Sequence, residues 1–394
     1  MLIKNARVFK DNNQFEIGDI YIKDDRIVEY NVNENDNSIL GDNTIFIIDK
    51  NNNSIIDASD LYAIPGLTDI HFHGCDGYDF CDGTKEALDA ITHYQLSNGI
   101  TTICPATMTL PEEDLIKICN NAKEYSKEHS NEKGSIICGI NLEGPFLSEK
   151  KKGAQNASYL HKPDADMFRR LKEASGDLVK LISVAPEVEG AMAFISEVKG
   201  EAVLSIAHTT ADYDTSSQAL HSGAGHVTHL YNAMPPFHHR DPGVVGAAFD
   251  SPGCTVEMIC DGIHLHPSVV RATLQLFGKD RVIFVSDSMM ACGLPDGNYV
   301  LGGQEVNVTG KTSRLTSDGA IAGSVTNLMN CVRTAVNTMD IPLEIAIQAA
   351  ATNPAKVIGI DKDYGSITVG KVANIILLDK ALNIKAIIFK GKLI

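Results

Sequence analysis

No apolar run in this 394-residue chain reaches the roughly 20 residues a transmembrane helix needs, which excludes a helical membrane protein. The opening stretch Met1-Leu2-Ile3-Lys4-Asn5-Ala6-Arg7 lacks the charged-then-apolar layout of a secretory leader and enters a strand-like alternation at once, so a cytoplasmic location is expected. Basic charge is also short. With 34 Lys and Arg against 50 Asp and Glu, the net charge of −16 leaves no basic face for a nucleic-acid backbone. A small phosphorylated ligand is not excluded, because a local cluster of Arg, His and backbone N–H groups suffices to hold one. The nine cysteines include no C-x-x-C pair, so neither a disulfide framework nor a cysteine zinc site is indicated. There is no internal repeat. What is present, 44% hydrophobic and 21% charged residues, is the profile of a soluble globular protein.

From residue 62 to about 350, short apolar runs alternate with amphipathic stretches, the pattern of βα units around a parallel sheet. Eight strands are expected, at 63–73, 100–106, 135–143, 179–185, 202–208, 226–230, 255–260 and 281–287. Pro111 followed by Glu112, Glu113 and Asp114 reads as a helix first turn, and His221-Ser222-Gly223 as a helix end. Eight consecutive units favour an α/β fold of the closed (β/α)8 TIM-barrel type over residues 62–359, rather than an open doubly wound sheet. The sixth unit, with only 243–250 for its helix, is the weakest. The chain ends read differently. Segments 2–9, 16–30 and 54–62, with 365–370, 373–378 and 386–389, are strand-like without helices between them. They predict a small β-sandwich domain built from residues 1–61 and 360–394, with the Asn- and Asp-rich stretch 31–53 as a loop or insertion in it.

The strongest chemical signal is Asp69-Ile70-His71-Phe72-His73-Gly74. Alternation along a strand puts His71 and His73 on one face, where two imidazoles can share one metal ion. An isolated pair of this kind is more often just polar residues at a strand exit. The other candidates change the balance, since Glu143, His208, His229 and Asp287 fall at the C-terminal ends of expected strands three, five, six and eight. In a barrel those ends face one mouth, where active sites of the fold are built. Imidazole nitrogen and carboxylate oxygen donors suit one or two divalent ions of zinc, iron, manganese or cobalt.

Segments 65–74, Leu142-Glu143-Gly144-Pro145-Phe146, Lys152-Gly153-Ala154, His229-Leu230-Tyr231-Asn232-Ala233-Met234, Asp261-Gly262-Ile263-His264 and Ile321-Ala322-Gly323-Ser324 resemble the amidohydrolase superfamily. Within it they resemble the N-acetylglucosamine-6-phosphate deacetylases. The resemblance implies that Glu143, His208 and His229 hold the main metal ion, that His71 and His73 hold a second one bridged by Glu143, and that Asp287 is the catalytic acid and base. It implies substrate contacts at Ala154, Asn232, Ala233, Arg240, His264, Ile321, Ala322 and Gly323, with Arg240 and His264 at the phosphate. Arg240 is expected to serve the neighbouring subunit, hence a homodimer. The implied reaction is hydrolysis of the acetamide of N-acetyl-D-glucosamine 6-phosphate in amino-sugar catabolism. Gln155 departs from the pattern, standing where many relatives carry His, and His238 and His239 read as exposed loop residues. Competing readings are the galactosamine epimer, another amidohydrolase activity, or a non-catalytic barrel. The absence of a lysine in 141–145 speaks against cyclic-amide hydrolases that use a carboxylated lysine, and the complete ligand set speaks against a non-catalytic barrel. Residues 292–303 and 316–319 are candidate lid segments.

Overall fold

The computed structural model describes residues 1–32, 45–48, 54–128 and 134–394. The first barrel strand, Leu67–Asp69, pairs in parallel with Ile100–Ile103, which pairs with Ile136–Ile137. The ring continues through Ala106–Thr107, Ile140–Phe146, Val179–Val184, Val203–Ile206, His226–Val227, Thr255–Ile259 and Val282–Val285, each parallel to the next. The second and third barrel strands are each in two pieces. Pro105 stands in the first break, where it cannot donate to a ladder. Closure comes from the eighth strand exit, where the Asp287 N–H donates to the His71 carbonyl at 2.9 Å and the His73 N–H to the Ser288 carbonyl at 2.7 Å. Val282–Val285 and Ile100–Ile103 are buried at every position, which is why such strands read as continuous apolar runs rather than as alternation.

A helix follows each strand: Lys85–Ser97, Glu112–Glu128, Ala165–Ala174, Ala191–Glu197, Tyr213–Ser222, Gly243–Phe249, Pro267–Phe277 and Leu328–Met339. The second begins directly after Pro111 with three acidic residues in its first turn, where they complement the helix dipole. Gly223 closes the fifth at φ 145°, a conformation that favours glycine. The sixth is seven residues long, matching the short segment in the sequence.

An element the sequence did not suggest lies between the eighth strand and its helix. Gly297–Leu301, Gln304–Thr309 and Thr312–Leu315 form a three-stranded antiparallel sheet that incorporates part of the expected lid segment 292–303. Leu301, Val306, Val308 and Leu315 face inward onto Met108, Met289 and Ala322, while intervening residues such as Glu305 and Asn307 face solvent.

Strands from both chain ends share one nine-stranded sheet that forks at Leu2–Phe9. One edge of that strand pairs with Phe15–Lys23, while the other is divided between Ser54–Asp57 and Tyr62–Pro65. Tyr62–Pro65 also pairs with Ile375–Leu378, so the end sheet reaches past residue 61 to the threshold of the barrel. Ile3, Ile20 and Ile27 from one arm and Ile375, Leu377 and Ile388 from the other fill a single apolar cluster.

Three local expectations are corrected here. Segment 16–30 is a hairpin, Phe15–Lys23 and Arg26–Val32, turning at Asp24 with φ 54°. Segment 365–370 is turn rather than strand, and Gly365 packs so closely on the barrel that a Cβ there would lie 2.6 Å from the Ala355 Cβ. Within the stretch 31–53 expected as a loop or insertion, Ile45–Ile48 is a strand paired with Ser54–Asp57, and residues 33–44 and 49–53 lie outside the described residues. Among the described residues no helix is long and apolar enough to cross a membrane.

Candidate active site

The C-terminal mouth of the barrel gathers His71, His73, Glu143, His208, His229 and Asp287, all of them buried. His208, His229 and Asp287 leave their strands with φ of 43°, 30° and 48°, in the left-handed region that side chains with a Cβ rarely adopt. Three such residues at one mouth are a concentration of backbone strain of the kind found at functional sites.

Glu143 is the hub. Its Oε1 lies 3.1 Å from His208 Nε2, 3.0 Å from His229 Nε2 and 3.4 Å from His71 Nε2, while its Oε2 lies 3.2 Å from His73 Nε2. Asp287 Oδ1 is 3.5 Å from His73 Nε2 and 3.7 Å from His71 Nε2. Two donor groups result, Glu143 with His208 and His229, and His71 with His73 and Asp287, each with its ligand atoms within 4.8 Å of one another.

The residues fit a divalent ion. His208 Nδ1 donates to the Lys151 carbonyl at 2.8 Å, which leaves Nε2 as the ring nitrogen facing the Glu143 carboxylate, 3.1 Å from His229 Nε2. His71 Nε2 is buried without a hydrogen bond. Lone pairs converging on lone pairs call for a cation. Without one, protons supply the charge: burial disfavours the His73 imidazolium, but the hydrogen bonds it donates to the Asp287 and Glu143 carboxylates outweigh this and lift the group to about 10. Burial likewise opposes ionisation of Glu143, and the charges of His71 and His208 override it to hold that carboxyl well below the usual range.

The cluster floors a cleft of about 310 Å³ lined by Ala154, Asn232, Ala233, His264, Ile321, Ala322 and Gly323 among others. These are the expected substrate-contact positions except Arg240, which is exposed and lines a separate depression with Tyr213 and Asp250. His239 accepts a hydrogen bond from Arg240 at 2.8 Å, and His238 lies 3.4 Å from Asp241. Burial disfavours the charged form of His264, but the Asp261 carboxylate, 2.7 Å from its Nδ1, raises it above the ordinary imidazole range.

Several contributors were not picked out from sequence. Asp261 orients His264, and Lys150, Lys151, Met108 and Leu301 join the lining. Glu257, fully buried on the seventh strand, accepts from His71 Nδ1 at 2.8 Å. Its signal was a lone carboxylate in the apolar run Val256-Glu257-Met258-Ile259, since acidic residues are almost never fully buried without partners.

The model of the amidohydrolase family matches residues 62–394. An N-acetylglucosamine-6-phosphate deacetylase of Bacillus subtilis (strain 168) is 36% identical over 337 residues, 85% of this chain and 85% of that protein. The human N-acetylglucosamine-6-phosphate deacetylase is 32% identical over 341 residues, 84% of this chain and 82% of its own length. Among solved structures, an N-acetyl-D-glucosamine-6-phosphate deacetylase mutant from Mycobacterium smegmatis, in complex with N-acetyl-D-glucosamine-6-phosphate, superposes with a TM-score of 0.89. It is 28% identical and covers 100% of this chain and 98% of that one. The chain belongs to the amidohydrolase family and, within it, to the family of the N-acetylglucosamine-6-phosphate deacetylases.

Proposed function

We propose that this protein hydrolyses the acetamide of N-acetyl-D-glucosamine 6-phosphate to D-glucosamine 6-phosphate and acetate, in amino-sugar catabolism. The observation that carries the reading is the pair of His and carboxylate groups around Glu143 at the floor of the cleft, in a chain of this family. Glu143, His208 and His229 would hold one divalent ion, and His71 and His73 a second with Glu143 between them. The nitrogen and oxygen donors suit zinc, iron, manganese or cobalt. When bound, such an ion supplies Lewis acidity, polarising the acetamide carbonyl and lowering the pKa of a coordinated water.

The chain's own groups do the rest. Asp287 takes the proton of the attacking water and delivers it to the departing sugar nitrogen, so water is split between acetate and amine with no other reactant. His264, held through its Nδ1 by Asp261 and lining the cleft, meets the phosphate with Arg240 of a neighbouring subunit. Guanidinium suits that task because it donates two parallel hydrogen bonds to phosphate oxygens. The exposed position of Arg240, away from its own chain's cleft, supports a homodimer in which it acts across the interface. Nine free cysteines support a reducing, cytoplasmic setting. Residues 62–359 form the catalytic barrel in this reading, and 1–61 with 360–394 the small β domain.

The test is acetate release from N-acetyl-D-glucosamine 6-phosphate, the unphosphorylated sugar and the galactosamine epimer, with and without chelator. Rapid, chelator-sensitive release from the first alone is expected. No release by metal-replete protein overturns the substrate assignment, and preferential release from the epimer reassigns it.

A further inference from the structure

Beneath the ligand cluster, Glu257 binds three donors and exposes no surface. Its Oε2 accepts from His71 Nδ1 at 2.8 Å and from the backbone N–H of His229 at 3.0 Å, and its Oε1 accepts from His226 Nε2 at 3.0 Å. An ionised carboxylate only accepts hydrogen bonds, so the His71 proton on this side sits on Nδ1. On the other side of the ring, Nε2 makes no hydrogen bond and lies 3.4 Å from Glu143 Oε1 and 3.7 Å from Asp287 Oδ1. The same oxygen of Glu257 also holds the backbone of His229 at its left-handed φ of 30°. One buried atom therefore grips a member of each donor group, from a strand that itself supplies no ligand.

We propose that Glu257 is a positioning residue of the metal centre: by accepting the Nδ1 proton of His71 it presents Nε2 as a bare ligand atom and so makes the His71, His73 and Asp287 group competent to bind its own ion. The inference rests on the metal-dependent reading above. Carboxylate partners of ligating histidines elsewhere contribute about 10- to 100-fold in metal affinity. Glu257 does so asymmetrically, because it touches the ring of His71 but only the backbone of His229, whose ring makes its closest approach to Glu143.

The test is titration of metal-free protein with Zn2+ by calorimetry, with metal content measured after dialysis, on wild type, Glu257→Met and Glu257→Gln. Wild type is expected to take up two ions per subunit. Glu257→Met loses affinity for one of them by about 10- to 100-fold and for the other far less, and Glu257→Gln, whose carbonyl still accepts from His71, recovers most of the loss. Equal weakening of both ions in Glu257→Met marks a merely structural residue and overturns the proposal, as does unchanged binding or uptake of a single ion by wild type. Should Glu257→Met fail to fold, the histidine nitrogens of 15N-labelled, Zn2+-loaded wild type decide the matter. A proton on Nδ1 of His71 supports the assignment and one on Nε2 refutes it. No sugar is present in either measurement, so their failure is separate from failure of the deacetylase reading.

Discussion

Replacing Gln155 with leucine tests the local account of how Glu143 is held. Gln155 is 2% exposed, and both ends of its amide are used: Nε2 donates to Glu143 Oε2 at 2.8 Å, and Oε1 accepts from the Thr109 N–H at 2.7 Å. Leucine is close in size but offers neither group. The Thr109 N–H is then buried without a partner, at about 1–3 kcal/mol, and the carboxylate loses a charge-assisted bond worth about 1.5–3 kcal/mol. Since leucine returns part of this through apolar contact with Met108 and its neighbours, we expect metal-free Gln155→Leu to be less stable by about 3 kcal/mol. Urea denaturation followed by circular dichroism measures it as a lower midpoint with an unchanged slope. A loss below about 1 kcal/mol at constant slope refutes the reasoning, because one unsatisfied buried N–H alone costs that much.

Asp287→Asn is expected to lower kcat by about 10²- to 10⁴-fold, and near-normal turnover with normal metal content sinks its role as acid and base. Arg240→Ala is expected to raise KM for the phosphorylated sugar. Mixing it with Asp287→Asn subunits should restore about a quarter of wild-type activity, the statistical share of complete sites in a two-fold dimer, and no recovery refutes service across the interface. The Asp261–His264 pair gives a pH signature. Burial opposes the charge on each, but His264 is raised above its ordinary 6.5 by Asp261, and Asp261 is lowered below its ordinary 3.8 by His264. The imidazole contribution is full below 6.5 and fades as pH rises through its raised pKa, and the carboxylate contribution is full above 3.8 and fades as pH falls through its depressed one. The coupling energy from a double-mutant cycle should peak between those values. A coupling that is flat with pH rules the ion pair out.

The barrel was legible because its strands are buried on both faces and therefore appear as unbroken apolar runs. The ligand set was legible because a parallel barrel turns every strand exit to one side, so that His71, Glu143, His208, His229 and Asp287 converge from five different strands. What stayed hidden has particular causes. The sheet of Gly297–Leu315 is covered on one face only and interrupted by Gly302, Gly303 and Gly310, so its alternation is diluted by turn residues. The hairpin turn at Asp24 sits inside an otherwise continuous strand pattern and carries no glycine to mark it. Glu257 and Asp261 act through histidines, and no spacing rule links Glu257 to His71, which lies 186 residues away.

The end sheet imposes a timetable on synthesis. Tyr62–Pro65 has one edge satisfied by Leu2–Phe9 early, whereas its other edge waits for Ile375–Leu378. At about 5–20 residues per second, a nascent chain takes about 15–60 s to make the intervening stretch. Throughout that interval Ala63 and Ile64 belong to an open strand edge able to pair with a neighbouring nascent chain. Slowing translation late in the message, or removing the last three strands from Ile375 onward, should therefore reduce soluble yield even though the entire ligand cluster has by then been made.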